Sequence, residues 1–315
     1  MRDIDELNKR FRNRIHFLDG GLATELEDRG HDLSGKLWSG RVLLEDLAAI
    51  EQLHYDYLVA GADIIISASY QVSIPGMLEA GYSQEDARAA LELSVEAGTR
   101  ARNRWCTAQA VTRRDEQPLI AASVGPYGAY LADGSEYTGD YSLDPTGLRT
   151  FHRERLEILL QSGADLVAFE TVPSLTEALV YADLVKNSGE PPAWISFTCR
   201  DSEHLSDGTH IAGATRTLLQ SYPNWVAIGI NCTPPQYVEA ALTTMAEETN
   251  ISLVTYPNSG EAWDATHRCW AGENDPVAFT DYGKRWHARG ARIIGGCCRT
   301  GPSHIASLRA ALSKN

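Results

Sequence analysis

Short apolar runs alternate along this chain with longer segments of helical period. The runs are Ile15-His16-Phe17-Leu18, Asp63-Ile64-Ile65-Ile66, Leu119-Ile120-Ala121-Ala122, Leu166-Val167-Ala168-Phe169, Trp194-Ile195-Ser196-Phe197, Val226-Ala227-Ile228-Gly229-Ile230, Ser252-Leu253-Val254-Thr255-Tyr256 and Arg292-Ile293-Ile294. Continuous apolar character, in place of strict alternation, predicts parallel strands buried on both faces. The intervening segments read as helices; before the second run, Leu53, Tyr57 and Ala60 fall on one stripe. Three junctions repeat one another: Ala60-Gly61-Ala62-Asp63-Ile64, Ser162-Gly163-Ala164-Asp165-Leu166 and Arg289-Gly290-Ala291-Arg292-Ile293. Each predicts a helix stopped by glycine and a tight turn into a strand.

No Gly/Ser-rich linker or low-complexity stretch divides the chain, so residues 1–315 read as a single domain. Eight βα units in a chain of 315 residues predict an α/β fold, a (β/α)8 TIM barrel. An open doubly wound sheet is the rival, but no G-x-G-x-x-G follows any strand.

Composition narrows the functional classes. A hydrophobic share of 43% suffices for one large core. The net charge of −14, from 28 basic and 42 acidic residues, argues against nucleic-acid and anionic-membrane partners. No apolar stretch approaches the roughly 20 residues of a membrane span. The start, Met1-Arg2-Asp3-Ile4-Asp5-Glu6, lacks the apolar core of a secretory signal, and the 6 cysteines are irregularly spaced. Together these features predict a cytoplasmic protein.

In a barrel, active sites gather where the strands end. Residues just past the predicted ends include Asp19, Ser67, Glu170, Cys232, Asn258, Cys297 and Cys298. Buried cysteine is often just a small hydrophobe, and Cys106, Cys199 and Cys269 read that way, although Cys199 also falls near a strand end. A vicinal pair and a third thiol at converging strand ends point instead to a metal site. Three thiolates suit Zn2+ and leave its fourth tetrahedral position open for chemistry. Alternation would send Cys297 and Cys298 to opposite faces, so the pair requires irregular backbone, with Gly295 and Gly296 expected to supply unusual dihedrals. Asp19, before Gly20-Gly21, reads equally as a rim carboxylate or a helix cap. His16, His54 and His152 lack zincin spacing and read as packing or surface residues.

The chain resembles the zinc- and homocysteine-dependent S-methyltransferases from about Phe17 to Leu312. The resemblance rests on Asp19-Gly20-Gly21-Leu22-Ala23-Thr24-Glu25-Leu26, Gly229-Ile230-Asn231-Cys232 and Gly295-Gly296-Cys297-Cys298-Arg299-Thr300. Leu37-Trp38-Ser39, Ser69-Tyr70-Gln71, the stretch from Val124 to Tyr137, Arg200 to Gly208 and Tyr256 to Glu261 are similar to the S-methylmethionine-using branch. The resemblance implies that Cys232, Cys297 and Cys298 bind zinc. It also implies that Asp19 and Glu170 hold the amino group of L-homocysteine, with Gly20 and Ser67 among the substrate contacts. Ser67 stands where the family usually has threonine, and the hydroxyl survives.

The implied reaction moves a methyl group from S-methylmethionine to homocysteine, giving two methionines, with S-adenosylmethionine as a weaker sulfonium donor. A cationic donor favours aromatic walls. Trp38, Tyr70, Tyr127 and Tyr130, in loops after the first three strands, read either as such faces or as ordinary packing. Alternatives are another donor at the same thiol site, betaine or a methylated corrinoid protein, or a non-catalytic zinc-buffering or zinc-sensing protein. Betaine-using relatives carry an extra C-terminal segment used for tetramerisation. The chain's end soon after the helix that follows Pro302 predicts a monomer.

Overall fold

The computed structural model describes residues 1–33, 37, 39–264, 269–271 and 274–313, the side chains of 39, 262–264 and 269–271 excepted. Its strands are β1 (His16–Phe17), β2 (Ile64–Ile66), β3 (Leu119–Val124), β4 (Leu166–Val172), β5 (Ala193–Phe197), β6 (Ala227–Asn231), β7 (Ser252–Tyr256), β8 (Ala262–Asp264), β9 (Cys269–Ala271) and β10 (Ala291–Ile294). Eight of them form one parallel sheet in the order β1-β10-β7-β6-β5-β4-β3-β2. A single parallel bridge from Leu18 to Ile64 joins its two ends. This is the predicted barrel, with each predicted apolar run on a barrel strand. The sequence pattern did not announce β8 and β9, an antiparallel ribbon inserted after β7.

The repeated junctions behave as their glycines require. Gly61, Gly163 and Gly290 take φ of +109°, +90° and +100°, the left-handed geometry that ends a helix without a Cβ penalty. The long helix Gln84–Ala108 starts with a capping box between Ser83 and Asp86. Helix Leu47–Ala60 starts where the Asp46 side chain accepts from the Ala49 N–H.

Apolar side chains form two layers. Outward residues such as Ile65, Ile120, Val167, Phe169 and Ile228 pack beneath the helices. Inward residues including Leu18, Ile64, Leu119, Ala121, Leu166, Trp194, Val254 and Ile293 fill the barrel. The helix Ile4–Asn13 joins the inner layer through Leu7 and Phe11, both fully buried, and stoppers the end of the barrel opposite the cysteines.

A buried ion cluster ties this stopper to the sheet. Asp165 accepts from Arg2 Nε at 3.0 Å, Arg102 Nη1 at 2.7 Å and the Ile120 N–H at 2.9 Å. Replacing Asp165 by Asn would leave two guanidinium groups short of their counter-charge. The expected loss is about 2 kcal/mol of unfolding free energy. Denaturant titration is the check, and an unchanged midpoint would show that the cluster contributes no stability. Among the described residues, no helix is long and apolar enough to cross a membrane.

Candidate metal centre and substrate cavity

Three cysteines reach the open mouth of the barrel by different backbone devices. Cys232 follows β6 and takes φ +48°. Its neighbour Asn231 braces β4: Oδ1 accepts from the Thr171 N–H at 2.7 Å and Nδ2 donates to Thr171 Oγ1 at 2.8 Å. After β10 the chain leaves regular pairing. The N–H of Gly296 donates to Asp19 O at 3.0 Å, and that of Cys297 to Pro257 O at 2.7 Å. A turn then closes as Thr300 N and Oγ1 donate to Cys297 O at 3.2 and 2.8 Å.

The irregular backbone is therefore present, but the glycines serve another purpose than expected. Neither Gly295 nor Gly296 has positive φ; the left-handed residues are Cys232 and Arg299, at +48° and +64°. What Gly295 and Gly296 allow is close approach. A Cβ on Gly296 would lie 2.1 Å from Thr300 Oγ1, and one on Gly295 2.4 Å from Leu18 Cβ. Left-handed backbone at a non-glycine residue costs of order 1–3 kcal/mol and persists where its surroundings over-determine it.

The result is a compact sulfur triangle. Cys232 Sγ lies 3.7 Å from Cys298 Sγ, which lies 4.0 Å from Cys297 Sγ, and all three fall within 4.8 Å of one another. Zn–S bonds of about 2.3 Å in a tetrahedron place sulfurs about 3.8 Å apart. The triangle fits that ion in both spacing and donor type. Hydrogen bonds from Cys232 and Cys297 hold the Cys298 thiol well below its ordinary pKa. Tyr137 brings its hydroxyl to 3.3 Å from Cys232 Sγ. Among the described residues, no other set of three or more His, Cys, Asp or Glu side chains converges in this way.

The triangle forms one wall of a cavity of about 140 Å³ that Asp19, Gly20, Ser67, Tyr70, Glu136, Tyr137, Glu170, Thr171 and Tyr256 also line. Asp19 and Glu170 make its acidic pole. Asp19 Oδ2 accepts from the Ile66 N–H at 2.8 Å, linking the ends of β1 and β2. The following helix Leu22–Asp28 has no side-chain cap, which rules out the cap reading of Asp19. Burial, reinforced by Glu170, pushes Asp19 well above the usual carboxylate range.

Glu170 sits inside β4, not past its end. Its strand runs on to Val172 through a register shift at which Thr171 takes φ +57°. Ser123 Oγ donates to Glu170 Oε1. Burial pushes the Glu170 carboxyl up to about 7 despite the hydrogen bonds from Ser123 and Tyr256 that oppose it. Ser67 Oγ accepts from the Ser123 N–H at 3.0 Å and shares a 2.7 Å hydrogen bond with Ser69 Oγ, so three serines order this wall. Gly20 brings the loop against the cysteine turn, where a Cβ would meet Thr300 O at 2.5 Å.

Other expected residues fall elsewhere. Trp38 lies outside the described residues, as does the side chain of Cys269. Tyr127 and Tyr130 do not line the cavity; they pack with Tyr141 and Phe151 at ring separations of 4.9–5.4 Å. Asn258 also stays off the wall, its N–H donating to Thr233 O at 3.2 Å. Cys106 and Cys199 are buried away from the triangle. His16 and His54, lowered by burial to about 3 and 4, are neutral packing residues. His152 is paired with buried Glu177 at 2.7 Å. Ser123, Glu136, Tyr137, Thr171 and Tyr256 were not singled out as site residues by the sequence. Their signals were that Glu136 and Tyr137 close one family-like stretch and Tyr256 opens another.

Residues 16–312 match the homocysteine S-methyltransferase family. The homocysteine S-methyltransferase of Escherichia coli is 46% identical over 297 residues, 94% of each chain. Homocysteine S-methyltransferase YbgG of Bacillus subtilis is 43% identical over 293 residues, 93% of each. The crystal structure of the Escherichia coli homocysteine methyltransferase MmuM in its metallated form superposes with a TM-score of 0.86 at 43% identity, covering 97% of this chain and 99% of that one.

Proposed function

The chain belongs to the homocysteine S-methyltransferase family and forms methionine from homocysteine; from that premise we propose that Cys232, Cys297 and Cys298 hold Zn2+ and that S-methylmethionine is the methyl donor. The observation that carries this reading is the sulfur triangle at zinc spacing, in one cavity with the buried carboxylates of Asp19 and Glu170.

Bound by the three thiolates, Zn2+ would act as a Lewis acid that favours the thiolate form of the substrate, so the lack of a histidine base among the described residues of the cavity is no obstacle. Asp19 and Glu170 accept hydrogen bonds from the homocysteine ammonium and fix which end of the substrate faces the cysteines. Ser123 and Ser67 hold this pole in place, and low exposure keeps competing water away. The Tyr70 ring on the cavity wall offers a cation an attractive face without being a competing nucleophile.

Methyl transfer is one in-line displacement. The homocysteine sulfur forms the new S–C bond as the donor's S–CH3 bond breaks, and that electron pair returns to the donor sulfur. Thiolate and sulfonium both become neutral thioethers. The anionic cysteine cluster therefore favours a cationic donor over a neutral one.

Side-by-side kcat/KM measurements on zinc-loaded protein with homocysteine are expected to rank S-methylmethionine above S-adenosylmethionine, with betaine inactive. The family-like stretches around Tyr70 and Tyr137 support that order, and no dinucleotide fingerprint is present for an adenosyl group. Betaine turnover above that with S-methylmethionine would overturn the donor assignment while leaving the thiol-activating site intact.

A further inference from the structure

The cavity wall carries a third carboxylate that neither the acceptor pole nor the packing uses. Glu136 occupies the 3-10 turn Ser135–Tyr137, entered through Gly134 at φ +88° and pinned where the Ser135 N–H donates to Asp133 Oδ1 at 3.0 Å. Gly128 lets the turn press on the preceding helix, since a Cβ there would lie 2.3 Å from the Glu136 backbone N. Although this turn sits in a surface loop, Glu136 is only 9% exposed and lines the cavity. Its Oε2 is buried without a hydrogen-bond partner.

A buried carboxylate oxygen with no donor is costly, and a native structure tolerates one chiefly where something else completes it. Desolvation accordingly raises this carboxyl above its ordinary value. The next residue, Tyr137, touches Cys232 Sγ, which puts Glu136 beside the cysteine cluster on the β3 loop. Asp19 and Glu170 form a separate pole, near enough to each other for Glu170 to raise the Asp19 pKa.

Two amino acids must enter this cavity if the donor is S-methylmethionine, and each brings an ammonium that needs an anionic partner once dehydrated. We propose that Glu136 receives the α-ammonium of the amino-acid methyl donor, as the Asp19–Glu170 pole receives that of homocysteine. This inference rests on the donor reading above. Glu136 is then a donor-recognition residue: it selects a sulfonium that is also an amino acid over one that lacks the amino group.

The test compares S-methylmethionine with 4-(dimethylsulfonio)butanoate, the same sulfonium without its ammonium, in the wild type and in Glu136→Gln. The wild type should favour S-methylmethionine in kcat/KM by roughly tenfold or more, as expected for a lost charge-assisted hydrogen bond. Glu136→Gln should raise KM for S-methylmethionine by a similar factor and erase the preference. KM for homocysteine, and kinetics with the butanoate, should stay within about twofold, with zinc content and melting temperature showing an intact protein. An equal penalty on both donors would put Glu136 at the sulfonium and overturn the proposal; an effect on homocysteine alone, or none, would do the same. If the variant does not fold, the wild-type donor ratio decides, and equal use of the two donors overturns it. Wild-type protein that ignores S-methylmethionine would instead overturn the donor reading on which it rests.

Discussion

Cys232→Ala, Cys297→Ala and Cys298→Ala are each expected to lose the bound zinc and to cut methionine formation by more than about a thousandfold. The magnitude follows from position. Partners that only orient a metal ligand typically contribute 10–100-fold to affinity or activity, so removing one of three protein ligands should exceed that range. No replacement thiol or imidazole lines the cavity among the described residues, and the nearby Tyr137 hydroxyl, 3.3 Å from Cys232 Sγ, is a neutral phenol held well above its ordinary pKa. Elemental analysis of the purified variants, alongside turnover, is the measurement. Cys106→Ala, a change far from the cavity, should keep about one zinc per chain. Any triangle variant that retains full zinc and activity removes that cysteine from the ligand set.

Glu170→Gln should weaken use of homocysteine by about a hundredfold in kcat/KM while leaving zinc in place, since a buried ammonium loses its charged acceptor. The pH dependence carries the sharper signature. Burial holds the Glu170 carboxyl at about 7, so it is anionic above that pH and increasingly protonated below it. Because kcat/KM reports groups of the free enzyme, its value for homocysteine should fall as pH drops through about 7. That acidic limb should be missing in Glu170→Gln. A variant with wild-type KM and an unchanged limb would end the role assigned to Glu170.

The barrel was legible because its strands are buried on both faces and so read as unbroken apolar runs, and because Gly61, Gly163 and Gly290 mark where helices give way to them. The stopper helix Ile4–Asn13 was silent, since it buries only Leu7 and Phe11 amid charged residues. Strand ends located the three cysteines, Asp19, Ser67 and Glu170, but sequence position does not say where a loop side chain points. Tyr127 and Tyr130 therefore read as cavity candidates and pack among aromatic rings instead. Glu136 and Tyr137 face the site from a 3-10 turn too short to leave a periodic pattern. Gly295 and Gly296 were rightly singled out, for the wrong property: the space they leave matters, and the unusual dihedrals belong to Cys232 and Arg299.

The stopper at the base of the barrel has a consequence for traffic. Side chains fill the interior and helix Ile4–Asn13 covers its far end, so the described residues leave the cysteine-side mouth of the barrel as the cavity's doorway. With S-methylmethionine as donor, two amino acids enter through it and two methionines leave, and the products are chemically identical. One molecule, methionine, then fits both departing positions and competes with both incoming ones. Its accumulation should slow turnover against either substrate, making the enzyme's rate a readout of how much methionine is already present.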